Sequence, residues 1–141
     1  MEFKQEGQEV AATRSEVSVF VVDDDESVRR SLSRLLGVAG FQVTVFDAPD
    51  RFLDAVRFAR TGRCCLLLDI VMPGASGLQV VERMHRQGID IPVIALSATD
   101  AGGHRHMAKR LGASLFFSKP VDDKALIDAI EWVTAPNQPD G

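Results

Sequence analysis

The chain has 141 residues, of which 45% are hydrophobic and 26% are charged, a composition ordinary for one globular domain of this length. Sixteen Lys and Arg against twenty Asp and Glu give a net charge of −4, which disfavours a nucleic-acid-binding surface. The apolar runs are far shorter than the roughly 20 residues that cross a bilayer, and no secretory signal is visible. We therefore expect a cytoplasmic protein without a membrane span.

The N-terminal part of the chain predicts a tail followed by a strand and a helix. Residues 1–16 are polar and have no hydrophobic period, which is typical of a flexible tail. Order should begin near Val17, with an apolar strand that ends at Val22. The next segment carries apolar residues at helical spacing and should be closed by Gly37 and Gly40.

Four further strand and helix pairs follow in chain order. Strands are predicted at 41–46, 64–68, 91–96 and 115–117. Each of these strands precedes an amphipathic helix. Gly102 and Gly103 should leave the start of the fourth helix mobile, and Asp122 can cap the last helix. Apolar strands that alternate with helices predict a five-stranded parallel sheet covered on both faces, which is a doubly wound α/β domain. We expect the folded domain to span residues 17–134, with 135–141 as a C-terminal tail or the start of a linker.

The cysteines and histidines indicate neither a redox site nor a metal site. Cys64 and Cys65 are adjacent in a predicted strand, where successive side chains point to opposite faces, so we expect reduced structural thiols. His104 and His106 lie two residues apart and cannot form a metal pair on one helix face. We expect them, and His85, to be solvated polar residues.

Polar side chains follow the predicted strands, and those of the second strand, where Asp47 stands, would lie outside the switch point of the winding. Ligands of doubly wound sheets bind outside the carboxyl ends of the strands, near the switch point of the winding. In the strand order 2-1-3-4-5, the ends near that point hold Asp23, Asp24, Asp25, Asp69, Ser97 and Lys119. Of these, Asp25 is better explained as the N-cap of the first helix.

These strand-end residues together predict phosphoryl transfer. Two carboxylates about 4 Å apart repel by on the order of 4 kcal/mol at an effective dielectric constant near 20, so a counter-ion is required. Oxygen ligands with open positions suit Mg²⁺. Lys119 adds an ammonium group, and the Ser97 hydroxyl can donate to a phosphoryl oxygen. The acceptor of the phosphoryl group would be the carboxylate of Asp69.

Four motifs around these residues resemble the receiver domain of two-component response regulators, over residues 17–133. They are Val-Val-Asp23-Asp24-Asp25-Glu-Ser-Val-Arg, Leu-Leu-Leu-Asp69-Ile-Val-Met-Pro, Ile-Pro-Val-Ile-Ala-Leu-Ser97-Ala and Phe-Phe-Ser-Lys119-Pro120. The resemblance implies a flavodoxin-like (βα)5 fold. The first motif looks most like receivers attached to helix-turn-helix transcription factors, and we expect no such output module within these residues.

The resemblance also implies the roles of individual residues at the metal site. It makes Asp24 and Asp69 direct ligands of Mg²⁺, together with the backbone carbonyl of Val71. Asp23 would act largely through water. The family positions that control the access of water to the phosphoryl group are Val71 and Thr99 here. Val71 cannot orient a water by hydrogen bonding, so we expect slow self-dephosphorylation.

Further roles implied by the resemblance concern the switch. Lys119 and Pro120 are expected to be joined by a cis peptide bond. Phe116, three residues before the lysine, occupies the position of an aromatic switch residue, although a plain core phenylalanine would have the same pattern. Pairing of the phosphoryl group with Ser97 and Lys119 would reshape the fourth helix and the fifth strand.

The implied function is signalling. Asp69 would accept a phosphoryl group from a phosphohistidine on a partner sensor histidine kinase, and the domain would catalyse only its own phosphorylation and dephosphorylation. We expect a phosphorylation-dependent homodimer through the fourth helix and fifth strand, and no contact of this domain with nucleic acid.

Two other classes of function remain open at this point. A phosphatase resembling haloacid dehalogenases would use a similar residue set, but the segment around Asp23 and Asp25 lacks that family's full motif and the chain has no cap domain. A degenerate receiver that only binds partners is the second alternative. The presence of every key residue argues against it.

Overall fold

The centre of the molecule is a parallel sheet of five strands in the computed structural model, which describes residues 13–59, 62–72, 75–98 and 103–136. The strands are β1 (Val17–Val22), β2 (Gln42–Phe46), β3 (Arg63–Asp69), β4 (Val93–Ser97) and β5 (Leu115–Ser118). Their order is β2-β1-β3-β4-β5, and every neighbouring pair is parallel. The predicted sheet and its strand order are confirmed.

Five α-helices cover this sheet on both faces. They are α1 (Glu26–Val38), α2 (Pro49–Ala59), α3 (Gly77–Arg86), α4 (His104–Leu111) and α5 (Asp123–Val133). The apolar residues of α1 and α5 share one core with one face of the sheet, and those of α2, α3 and α4 share the other core. This is the predicted doubly wound arrangement. Between β3 and α3, the short segments Val71–Met72 and Ala75–Ser76 pair as an antiparallel ladder.

The central strand β3 shows why the predicted strands are apolar throughout. Because alternate side chains enter opposite cores, Leu66 and Leu68 pack toward α2, α3 and α4, whereas Cys65 and Leu67 pack toward α1 and α5. Cys65 is fully buried, which raises the pKa of its thiol to about 12. Cys64 is half-buried, and neither cysteine forms a disulfide.

Side-chain caps set the starts of α1 and α5. Asp25 Oδ1 accepts hydrogen bonds from the backbone N–H groups of Ser27 at 2.9 Å and Val28 at 3.4 Å. Asp122 Oδ2 accepts one from the N–H of Ala125 at 2.9 Å. Both capping predictions are confirmed.

The end of α1 differs from the prediction. The helix continues through Gly37 to Val38, so Gly37 does not close it. The chain turns toward β2 at Gly40, where φ is +107°, a value that residues with a side chain rarely adopt.

The boundary of the N-terminal tail also differs from the prediction, which placed ordered structure near Val17. Arg14–Glu16 form a 3-10 helix. The Arg14 guanidinium donates to Glu131 of α5 at 2.6 Å and to the carbonyl of Ala39 at 3.0 Å. The last residues of the predicted tail therefore dock on the domain.

Several predictions fall outside the described residues. These are the tail over residues 1–12, the segment around Gly102, and the C-terminal residues 137–141. Within the described ranges, no helix is both long and apolar enough to cross a membrane.

Candidate functional site

Three carboxylates converge at the carboxyl edge of the sheet. Asp23 and Asp24 directly follow β1, and Asp69 is the last residue of β3, the strand that pairs with β1. One oxygen from each carboxylate lies within 4.8 Å of the others. Asp23 and Asp69 are 1% and 5% exposed, whereas Asp24 is exposed to solvent. The cluster is a set of oxygen donors whose mutual repulsion favours a bound cation.

Both carboxylate oxygens of Asp23 already accept hydrogen bonds. Oδ1 accepts from the backbone N–H of Asp25 at 2.9 Å, and Oδ2 accepts from Lys119 Nζ at 2.7 Å. The carbonyl of Asp23 accepts a further bond from the Arg29 guanidinium at 2.8 Å. These contacts fix the carboxylate at the bottom of the site.

Lys119 lies at the end of β5 and reaches two of the carboxylates. Its Nζ atom is 2.7 Å from Asp23 Oδ2 and 3.4 Å from Asp69 Oδ2. Burial lowers the pKa of Lys119, but the hydrogen bond that Lys119 donates to Asp23 and the charges of Asp69 and Asp23 outweigh this, so the net pKa is raised. The side chain is therefore a firmly charged ammonium. The peptide bond from Lys119 to Pro120 is cis, and the Lys119 N–H donates to the Ser97 carbonyl at 2.6 Å.

Asp69 is held by the backbone around it. Its Oδ1 accepts a hydrogen bond from the N–H of Val71 at 3.1 Å, and the N–H of Ile70 donates to the Leu96 carbonyl at 3.0 Å. Burial raises the pKa of Asp69, and the Val71 N–H and the Lys119 charge only partly oppose this effect. The carboxylate is therefore more basic than an exposed aspartate.

A glycine allows α3 to start against this strand end. A Cβ atom at Gly77 would lie 2.9 Å from Ile70 Cγ2 and 3.1 Å from its Cα. The Gly77 N–H also donates to the Ile70 carbonyl at 3.3 Å. The close approach of the helix thus depends on the missing side chain.

Ser97 ends β4, and its side chain contacts α4. The residue is fully buried, and its Oγ lies 2.7 Å from Nδ1 of His104. The prediction of a solvated His104 is wrong: the residue is half-buried and hydrogen-bonded, because the first turn of α4 lies over the end of β4. His106 and His85 are exposed, as predicted. No residue spacing in the sequence indicates the pair of Ser97 and His104.

Phe116, on β5, contacts a residue of α4 that the sequence did not predict as its partner. The ring is half-buried and packs against the core under α2, α3 and α4. The Arg105 guanidinium lies 4.7 Å from the ring centroid, within the range of a cation–π contact. Thr99, the other position singled out from the sequence near this loop, lies outside the described residues.

The residues predicted from the sequence thus divide into two groups. Asp23, Asp24, Asp69 and Lys119 meet at one point, with three negative charges against one positive charge. Ser97 lies at the adjacent strand end and turns to α4. This donor set fits Mg²⁺, which is bound by carboxylate oxygens and keeps open positions for phosphate oxygens.

Comparison with known proteins agrees with this geometry. The family model of the response regulator receiver domain matches residues 19–131. The chain belongs to this family. It is a receiver domain of two-component response regulators, which disfavours the alternative of a phosphatase of the haloacid dehalogenase type.

Individual relatives support the same assignment. The transcriptional regulatory protein FixJ of Bradyrhizobium diazoefficiens is 36% identical over 86% of this chain and 58% of its own length. TdiR of Thauera aromatica is 37% identical over 86% of this chain and 52% of its own length. The receiver therefore spans little more than half the length of these relatives. The crystal structure of FixJ-N superposes with a TM-score of 0.75 at 32% identity, covering 82% of this chain and 90% of that one.

Proposed function

We propose that this receiver accepts a phosphoryl group on Asp69 from a phosphohistidine of a sensor histidine kinase. The observation that carries the proposal is the position of the Asp69 carboxylate, which lies beside two further carboxylates and 3.4 Å from the Lys119 ammonium. An acceptor carboxylate, a cation site and a fixed ammonium are the groups that phosphoryl transfer requires.

The surroundings of the three carboxylates favour Asp69 as the acceptor. Asp23 has one hydrogen bond on each oxygen and is 1% exposed, so attack by either oxygen would break a buried contact. Asp24 is exposed to solvent, and the structure shows no ion pair between it and Lys119, in contrast to Asp69. Asp69 combines a raised pKa, hence greater basicity, with a backbone N–H that holds one oxygen.

The proposed transfer forms one bond and breaks one. An oxygen of Asp69 attacks phosphorus, the P–N bond to the donor imidazole breaks, and its electron pair returns to the imidazole nitrogen. The Lys119 ammonium stabilises negative charge on the phosphoryl oxygens as they approach. The Val71 N–H keeps the Asp69 carboxylate oriented during the attack.

We assign Mg²⁺ to the acidic cluster, with Asp24, Asp69 and the backbone carbonyl of Val71 as ligands. When bound, the ion neutralises charge on the carboxylates and on the phosphoryl oxygens. Asp23 is placed in the outer shell, acting through water, because both of its oxygens already accept hydrogen bonds.

A small phosphodonor tests the acceptor. Incubation with acetyl phosphate and Mg²⁺ should add one phosphoryl group, detected by intact mass, and Asp69→Asn should abolish the addition. Asp47→Asn is the matched control, since Asp47 is an exposed aspartate after another strand of the same sheet, β2. Retention of the label in Asp69→Asn would refute the assignment.

The proposed output is a homodimer formed through α4 and β5 after phosphorylation. We propose a cytoplasmic protein whose folded unit includes residues 14–134, because Arg14 is hydrogen-bonded to Glu131 of α5. Two observations support this surface: β5 is an edge strand of the sheet, and α4 contacts both Ser97 and Phe116. Sedimentation with and without beryllofluoride, a phosphoryl mimic, tests it. Wild type should gain mass and Ser97→Ala should not; a wild-type protein that stays monomeric would contradict the proposal.

A further inference from the structure

Two residues in the first turn of α4 contact Ser97 and Phe116, to which the family resemblance gives roles in the switch. His104 Nδ1 lies 2.7 Å from Ser97 Oγ. The next residue, Arg105, places its guanidinium 4.7 Å from the ring of Phe116. Two successive residues of one helix therefore contact the end of β4 and the middle of β5.

The first residue of α4 follows an N-cap that supplies no side-chain hydrogen bond. The N-cap is Gly103, which has φ of +78° and no side chain that could cap the helix. α4 is also the shortest of the five helices, at eight residues. A side-chain contact at its first residue is therefore well placed to control where the helix begins.

The Ser97 hydroxyl has a single proton to donate. In the Nε2–H tautomer, which neutral imidazole favours in water, Nδ1 of His104 is the acceptor and takes that proton. A serine engaged in this way cannot donate to a phosphoryl oxygen on Asp69 at the same time. Ser97 is fully buried, so water does not assist this change. To donate to a phosphoryl oxygen, its hydroxyl must release His104 Nδ1.

We infer that His104 is a positioning residue that holds the Ser97 hydroxyl toward α4 in the unphosphorylated receiver and competes with the phosphoryl group for it. This inference rests on the proposed function. Phosphorylation replaces a neutral hydrogen bond with a charge-assisted one, which is the stronger contact. The exchange releases the start of α4, and Arg105 on Phe116 moves with it.

The binding affinity for beryllofluoride in Mg²⁺ measures this competition. Removal of one net hydrogen bond from the resting state corresponds to roughly a 2- to 12-fold change in an equilibrium constant. His104→Ala should therefore bind beryllofluoride about 2- to 12-fold more tightly than wild type. His104→Asn keeps a polar atom near the Nδ1 position and should lie closer to wild type. His106→Ala, an exposed change on the same helix, should have no effect.

Two sets of amide signals in NMR titrations separate the possible results. The Val71 N–H, which donates to Asp69, reports occupancy of the site, and the amides of α4 report the switch. In a Ser97→Ala background the gain from His104→Ala should disappear, which a merely structural effect of the histidine would not do.

A His104→Ala variant that binds as wild type does, or more weakly, would overturn the inference; weaker binding would mean that His104 supports the active serine. A gain that persists in Ser97→Ala would overturn it as well. If wild type leaves the Val71 signal unchanged, the proposed function fails, and the inference fails with it.

Discussion

Lys119→Met tests how much of the stability of the domain depends on one buried ammonium. At an effective dielectric constant near 20, the gross attraction of Nζ is about 6 kcal/mol to Asp23 Oδ2 at 2.7 Å and about 5 kcal/mol to Asp69 Oδ2 at 3.4 Å. Desolvation of the ammonium offsets much of this attraction. Removal of one partner of a buried pair typically costs about 3–5 kcal/mol, because the remaining charges lose their compensation.

The residual exposure of the site places the expected loss at the lower end of that range. Lys119 is 18% exposed, so water reaches part of its surroundings. We expect Lys119→Met to lower the free energy of unfolding by about 3 kcal/mol. For a domain of this size that is a fall in Tm of roughly 6–12 °C.

Urea unfolding followed by circular dichroism, with EDTA present, measures the loss. Lys124→Met is the matched control, because Lys124 is 84% exposed and pairs with Asp128 on the surface of α5 at 3.0 Å. Such surface pairs contribute about 0–1 kcal/mol. Added Mg²⁺ should recover part of the stability of Lys119→Met, since the dication replaces the missing positive charge.

A Lys119→Met protein as stable as Lys124→Met in EDTA would refute this reasoning. It would mean that solvent, rather than the lysine, compensates the negative charges of Asp23 and Asp69. A loss that Mg²⁺ does not change would refute the second part, the assignment of the cation to the same carboxylates.

Three further predictions concern the metal, the pH dependence and the backbone. Asp24→Ala should weaken Mg²⁺ binding severely without loss of the fold, and an unchanged affinity in a Mg²⁺ titration would contradict the ligand assignment. Burial raises the pKa of Asp69 above its ordinary 3.8, so the folded state binds the carboxyl proton more tightly than the unfolded state does. Ionisation of Asp69 therefore lowers the free energy of unfolding as pH rises from about 3.8 through the raised pKa. The stability of Asp69→Asn relative to wild type, measured in EDTA, should therefore increase from pH 3 upward and then level off; a constant difference would exclude the shift. Gly77→Ala should destabilise the domain by about 1–3 kcal/mol through its clash with Ile70, whereas Gly37→Ala, in a helix with open space around it, should stabilise it by about 0.5–1 kcal/mol; equal effects in urea unfolding would refute the packing argument.

The sheet and the acidic cluster were predictable from the sequence because topology alone brings their residues together. Side chains that end adjacent parallel strands lie at one edge whatever the loops do, so Asp23 and Asp69 must meet. Lys119 follows β5 at the same edge, but β4 separates β5 from β3, so its contacts with the carboxylates also depend on the reach of its long side chain. The caps at Asp25 and Asp122 were predictable for a different reason, since they depend only on residues two or three positions away.

The contacts that the sequence did not predict depend on which residues of a helix face the sheet, and therefore on the rotation of the helix about its own axis. His104 contacts Ser97 and Arg105 contacts Phe116 in the first turn of α4, which follows Gly103 in a left-handed backbone conformation. No hydrophobic period contains that information. Arg14 is a similar case, because its ion pair with Glu131 joins residues far apart in the chain through a short 3-10 helix.

The charges of the site are the reason for giving an uncharged hydroxyl a part in the proposed switch. The three carboxylates and Lys119 carry a net charge of about −2, which one dication neutralises. Conversion of the Asp69 carboxylate to an acyl phosphate adds about one negative charge and brings several acceptor oxygens into the same volume. Lys119 is already shared between Asp23 and Asp69, so it cannot supply every new hydrogen bond. The Ser97 hydroxyl is a buried donor at the adjacent strand end, and its release from His104 is the step that we propose to link the new charge to α4.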